Sequence, residues 1–348
     1  MRISTRSTMA SGRGRAVALA ALIAIACAAC SSSHPNGPDS SSTAAAAGGS
    51  SSSGTIIELG GPLSSEGFSQ AKLGSDDAAK AMGVSYQYSA PASLNNFAPD
   101  YTALINEAIA RKPAAMVIGN FIPAAFDPLI KKATAAGIPV VVNNSGLPSY
   151  QSDGAIAYVG ISSDSDGQAA ANAARKAGVH HLLCVDQTTN PLVEADCLAT
   201  KPVMEAAGGT YDQLNVPLTD LDNPSALIQD IQGYLASHPD VDGVFTAGGG
   251  FGTDAAQAVQ NLGKGAGIKV GSNEVTSTTL ADVQSGSMSF IIASQPYLMG
   301  YDAIEIAAQY LKYGQYPYSP VITSGVSIDK SNVAKYLALN KQYPGVLG

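Results

Sequence analysis

The sequence predicts an α/β protein of two doubly wound parallel-sheet lobes in series, and three observations carry that prediction. Short, near-continuous apolar runs recur at residues 55–59, 114–119 and 138–142, the pattern of strands covered on both faces. Segments long enough for a helix lie between them, as the crossover between parallel strands requires. The same plan then begins again near residue 182. In open sheets of this kind the ligand lies beyond the carboxyl ends of the strands. The residues that follow each strand are therefore the ones to read for function: Gly60 onward, Asn120 and Phe121, and Asn143-Asn144-Ser145.

Taken in order, the chain opens with Arg2, Arg6, Arg13 and Arg15 and no acid, followed by an apolar run at residues 16–26. A basic region before a short apolar one is the order of a secretory signal, and the run is too short for a comfortable membrane span. It ends in Cys27-Ala28-Ala29-Cys30 ahead of a serine tract, which resembles the lipobox of bacterial lipoproteins. Cys30 is the expected acylated residue and Cys27 the alternative. Residues 1–29 are thus read as a lipoprotein signal peptide. Residues 30–54, mostly Ser, Ala, Gly and Pro, bury too little apolar surface to offset chain entropy and are read as a disordered tether.

Beyond the tether, residues 68–82 have a narrow apolar helical face that ends at Gly83, before a strand at 84–88. Tyr101, Leu104, Ile105, Ala108 and Ile109 follow the spacing of one face of an amphipathic helix. A helix is expected within 123–136, a strand at 155–161 and a helix from Asp164 through Ala177. The second unit reads as a strand at 182–185, a helix at 193–207, a strand at 210–216 and a helix at 224–236 with Leu227, Ile228, Ile231 and Leu235 inward. Strands at 241–247 and 268–272 run into Gly248-Gly249-Gly250 and Asn273-Glu274, and 289–293 is the last strong strand.

At 348 residues and 45% hydrophobic content the chain can fill two cores. Its 13% charged residues and net charge of -8 are the opposite of a nucleic-acid footprint. His34, His180, His181 and His238 form no metal-ligand helical pair. The glycines at 248–252 lack the Lys-Ser/Thr of a P-loop and the third glycine of a dinucleotide fingerprint, and no G-x-S-x-G elbow occurs. Asp186, Glu194 and Asp196 could be offered as paired carboxylates for glycoside hydrolysis, but acids near a helix start act more commonly as caps or dipole partners. No enzyme, cofactor or metal is expected. Cys184 and Cys197 are expected to be joined if the chain is exported; two separate buried thiols are the alternative. Asn144 can donate and accept at once, which suits a ligand's hydroxyl groups; capping the turn is the alternative.

From residue 55 to about 333 these features resemble the type I periplasmic binding proteins, in the sugar-binding branch that serves ABC importers. Residues 138–146, IPVVVNNSG, are similar to the family's strand that ends in a ligand-contacting Asp or Asn. Residues 241–245, VDGVF, resemble the strand before the second-lobe binding loop, and 292–301, IASQPYLMGY, the return to the first lobe. Cys184-Val185-Asp186 with Asp196-Cys197 resembles a subgroup having a paired-cysteine loop. The resemblance implies a three-segment hinge near 161–164, 294–296 and 318–324. It further implies an N-terminal lobe of residues 55–161 and 296–320, and a C-terminal lobe of 162–295 and 321–348.

It also implies ligand contacts at Phe68, Asn120, Asn144, Asp196, Gly249, Asn273 and Gln295. Several depart from the family's pattern: Asp196 stands where many members have Arg, Gly248 or Gly249 where they have Asp or Asn, and Asn273 where they have Asp. With no Trp in the chain, Phe68, Phe121, Phe251 and Tyr297 are the candidates for an apolar wall. The expected function is that of a lipid-anchored, monomeric solute-binding protein on the extracytoplasmic face of a bacterial membrane. It would capture a small neutral polar ligand, a monosaccharide or polyol, for an ABC permease and its ATPase. A receptor for a signal such as a furanosyl autoinducer is the alternative, and a secreted hydrolase the third reading.

Overall fold

The structure, a computed structural model, describes residues 54–187, 191–217, 223–248, 251–263 and 267–347. The signal peptide, Cys27, Cys30, nearly all of the tether, and Gly249 lie outside the described residues. The apolar runs that set the fold class form the inner strands of two six-stranded sheets.

In the first sheet the strands are β1 (Ile56–Leu59), β2 (Tyr86–Ser89), β3 (Ala115–Gly119), β4 (Val140–Asn144), β5 (Ala157–Gly160) and β11 (Val321–Ile322), in the order β11-β5-β4-β3-β1-β2. Every pairing in it is parallel. Helices α2 (Phe97–Ala110) and α3 (Pro123–Ala135) cover one face, over Ile57, Leu59, Ile118 and Val142. Helices α1 (Glu66–Met82) and α9 (Pro296–Tyr313) cover the other, over Ile56, Val117 and Val141. Alternation of side chains along each strand explains why both layers are apolar.

The second sheet repeats the plan in the order β12-β10-β9-β8-β6-β7. Its strands are β6 (His181–Gln187), β7 (Thr210–Val216), β8 (Gly243–Thr246), β9 (Lys269–Ser272), β10 (Phe290–Ala293) and β12 (Val326–Asp329). Only β12 runs antiparallel, along β10. Helices α4 (Ser163–Lys176) and α5 (Pro191–Ala206) pack over Cys184, Phe245 and Ile292. The other face carries α6 (Pro224–Ser237), α7 (Gly252–Asn261), α8 (Ser277–Ser285) and α10 (Val333–Gln342) over Leu183, Val244 and Ile291. The edges β2 and β7 fall where strands are expected from sequence, whereas the opposite edges, β11 and β12, and helices α7, α8 and α10 have no counterpart among the expected elements.

Two features position what lies between the lobes. Helix α9 lies against α1 with glycine at both contact points. A Cβ on Gly74 would fall 1.9 Å from the Tyr297 carbonyl oxygen, and one on Gly300 1.9 Å from that of Ala71. The three crossing segments are tied to one another by Thr323, 1% exposed. Its N–H donates to Gly160 O at 3.0 Å and its hydroxyl to Ser294 O at 2.8 Å, while Gln295 Nε2 donates to Thr323 O at 2.6 Å. The Ser162 N–H donates to Ser324 Oγ at 3.1 Å. Residues 321 and 322, expected in the second lobe, pair with β5 in the first sheet. Their short apolar pair extends that sheet's edge before the chain crosses.

Candidate functional site

A parallel sheet offers a crevice where its strand order reverses. In the first lobe that point lies between β1 and β3, and a side chain holds it open. The Tyr101 hydroxyl of α2 donates to Leu59 O at 2.5 Å and accepts from the Gly119 N–H at 3.0 Å, standing between two groups at the strand ends. Tyr101 belongs to an aromatic group with Phe97, Phe121 and Phe126, and Phe68 of α1 meets Phe121 edge-on at 5.5 Å. Phe68 and Phe121 are half-buried, so the candidate apolar wall of the first lobe is one packed cluster.

Asn120 follows β3 and is 1% exposed. Its Nδ2 donates to Asp127 Oδ1 at 2.6 Å and to Ser149 Oγ at 3.1 Å, while Oδ1 has no partner. Asn144 ends β4 at φ 66, and its carbonyl accepts from the Tyr158 hydroxyl and the Ile161 N–H. A positive φ in a non-glycine residue costs energy and clusters at functional sites. The neighbouring Asn143, 6% exposed, leaves Nδ2 without a partner, and so does the hydroxyl of Ser145. The Asn143-Asn144-Ser145 turn thus places three polar side chains at the strand's end.

The second lobe answers with acids. The disulfide between Cys184 of β6 and Cys197 of α5, Cα atoms 5.7 Å apart, fixes α5 against the middle of the strand beside β8. Asp196, next in sequence to the bridge, is 1% exposed. Asn273, just after β9, donates Nδ2 to Ala247 O and, at 3.4 Å, to Asp196 Oδ2. Two residues the resemblance placed at the site therefore meet. Asp166 of α4, which the sequence reading did not single out, is equally buried. Burial pushes its carboxyl up to about 7, against the lowering effect of Ser324 and the Gly325 N–H. Burial raises Asp196 well above the ordinary carboxylate range, and the charge of Asp166 adds to it.

Gln295, in the left-handed region at φ 55, uses its amide on Thr323 in the crossing. Phe251 is fully buried in the second-lobe core, and Tyr297 donates its hydroxyl to Asp77 of α1 at 2.8 Å. Neither is an apolar wall of the site: the first fills the core at the start of α7, the second belongs to the α1–α9 layer. Gly249 lies outside the described residues. Missed from sequence was Gln70 of α1, 2% exposed, whose Nε2 donates to Val275 O at 3.4 Å. That bond joins the two lobes. The signal that could have found Gln70 is a polar residue on the otherwise small, apolar face of α1.

Among the described residues no group of His, Cys, Asp or Glu is arranged for a metal ion. What the arrangement offers is a set of buried hydrogen-bonding groups from both lobes with unused capacity: Gln70 Oε1, Asn120 Oδ1, Asn143 Nδ2, Asp166 Oδ1 and Asp196 Oδ1. Buried polar atoms are ordinarily paired.

The profile of the periplasmic binding protein domain family matches residues 60–315. Over 303 residues the chain is 26% identical to the xylose/arabinose-binding protein of Sulfolobus acidocaldarius, covering 80% of this chain and 71% of that one. A carbohydrate transporter from Acidothermus cellulolyticus, solved with myo-inositol, is 27% identical, with a TM-score of 0.74 over 84% of this chain and 99% of that one. A periplasmic ribose ABC transporter protein from Conexibacter woesei shares the fold at 20% identity, with a TM-score of 0.72 over 85% and 97% of the two chains.

Proposed function

The chain belongs to the periplasmic binding protein family, and from that premise we propose that it captures a monosaccharide or polyol between its lobes and delivers it to an ABC importer. It is a binding protein and not an enzyme. The observation that carries the reading is the set of buried, unused hydrogen-bonding atoms contributed by both lobes. A solute touching both lobes stabilises the closed form, whereas one touching a single lobe shifts nothing. Phe68 and Phe121 supply the apolar side, Asn120 and Asn144 hydrogen bonds from the first lobe, and Asp196 and Asn273 those from the second. Gln295 sets the crossing, and Gly249 is assigned to the second-lobe loop.

Calorimetry against a panel of sugars and cyclitols tests the ligand class. Binding to none of them, with tight binding of an amino acid or nucleoside, would overturn it. The lipid anchor belongs to the same proposal: a lipobox ending at Cys30 would hold the body at the outer face of the cell membrane. Metabolic labelling with a fatty acid, lost in Cys30→Ser, is the expected result; labelling that persists there and is lost in Cys27→Ser moves the anchor by three residues. The furanosyl-signal reading draws on Asp196, an acid where many members carry Arg, and a furanosyl autoinducer in the same panel separates it.

A further inference from the structure

The second-lobe side of the site is acidic, and the described residues supply it no cation. Asp166 and Asp196 sit on helices that meet at Gly167, where a Cβ would lie 2.5 Å from the Asp196 carbonyl oxygen. Neither carboxylate belongs to an ion pair among the described residues. The groups facing Asp196 are Ser163 from the crossing, Asn273 after β9, Asp166 from α4 and Asp186 from β6. Tyr158 of β5 lies within reach of both Asp166 and Asp196 and is held neutral by burial. Asp166 and Asp196 each keep Oδ1 buried without a hydrogen-bond partner.

The facing lobe supplies an independent observation. Gln70 crosses to Val275, two residues beyond the Asn273 that touches Asp196, and its own Oε1 is buried and unpartnered. Three buried oxygens from two lobes are therefore left without a partner. A hydroxyl brings acceptor capacity along with its donor, but an ammonium brings three donors, no acceptor and a charge. Buried carboxylates without a counter-charge are costly, and a cation between them removes much of that cost.

We propose that the ligand carries a protonated amine: the cleft takes an amino sugar or amino cyclitol, its ammonium against Asp196 and Asp166 with Gln70 opposite. The inference rests on the solute-binding function above and replaces the neutral ligand expected from sequence with one that is cationic at a single position. The ligand's remaining hydroxyls meet the amides of the first lobe. Because burial holds Asp166 and Asp196 above the ordinary carboxylate range, capture of an ammonium at neutral pH ionises them and releases protons.

The test is titration calorimetry of the full chain at pH 7 with matched neutral and amino forms of a panel, glucose with glucosamine and myo-inositol with an inosamine among them. Two buffers of different ionisation enthalpy are used. The amino form of the best-bound pair is expected to bind at least about tenfold more tightly, with net proton release, and Asp196→Asn is expected to lower that preference by about tenfold or more. Neutral forms that bind as tightly as their amines, or tighter, overturn the charge assignment and leave the solute-binding function standing. No binding across the panel by a chain whose circular dichroism shows it folded overturns both.

Discussion

The two lobes repeat one strand plan, yet at the equivalent switch point they are built differently. In the second lobe the ladder between β6 and β8 simply continues, with the Ala247 N–H donating to Val185 O at 3.2 Å. In the first lobe the equivalent groups, the Gly119 N–H and Leu59 O, are separated by the Tyr101 hydroxyl, which bonds to both. The first lobe opens its crevice with an aromatic side chain and lines it with neutral amides. The second keeps its strands together, fixes α5 to one of them with a disulfide, and places one buried acid, Asp196, on that helix and another, Asp166, on its neighbour α4. Two halves built on one strand plan thus differ in what they bury at this point: amides and aromatic rings in the first, carboxyls in the second.

Four measurements break or sharpen that contrast. The largest effect is expected from replacing both Cys184 and Cys197 by Ala. Loss of a bridge spanning 13 positions should cost about 3 kcal/mol in denaturant unfolding. It should also weaken ligand binding, because Asp196 adjoins Cys197; unchanged affinity would separate the bridge from the site. Next comes Glu58 of β1, 3% exposed and bonded to the Tyr86 hydroxyl. Burial holds its carboxyl up at about 7. Its folded value lies above its unfolded one, so the fold binds the proton more tightly. Its contribution is full below about pH 4.5 and is lost as pH rises through about 7, an effect of roughly 3 kcal/mol. Glu58→Gln should flatten that part of the stability profile, while Asp166, raised in the same direction, keeps its share of the slope.

Tyr101→Phe ranks third. It strands a buried donor and a buried acceptor and should cost about 2 kcal/mol, with ligand affinity falling as well. A neutral outcome would mean that β1 and β3 close into a direct ladder bond as the second lobe does. The smallest effect is expected at the edge of the second lobe, where Lys176 meets Asp329 at 2.6 Å with the lysine 71% exposed. Lys176→Met should change stability by under about 1 kcal/mol, and the change should shrink further in salt.

The inner strands were legible because they are apolar without interruption: residues 114–119 and 138–142 show it, and both lie at the centre of a sheet. The edge strands β11 and β12 were not, although the opposite edges, β2 and β7, were. Val321–Ile322 is too short to read, and Val326–Asp329 alternates with serine and aspartate around one buried residue, Ile328. Helix α8 depends on a capping box between Thr276 and Thr279, a signal with little apolar periodicity behind it. At the site, the ends of strands pointed to Asn120 and to the turn at 143–145, and the Asp196–Asn273 pair was placed by resemblance. Gln70 and Asp166 were missed for a shared reason. Each is a polar residue in a helix of small side chains, and only the approach of a second element shows what its side chain faces.

The glycine contact between α1 and α9 has a mechanical meaning. With carbonyl oxygens where side chains would otherwise interleave, there are no rotamers to exchange and no room to slide, so α9 is clamped to the first lobe up to its first turn. Any rotation of one lobe on the other is shared by the three crossings, and in the one that leads into α9 it falls before that turn, beside Gln295, whose backbone already sits in the left-handed region. The lever is fixed at one end, and its freedom is confined to the short strap that precedes it.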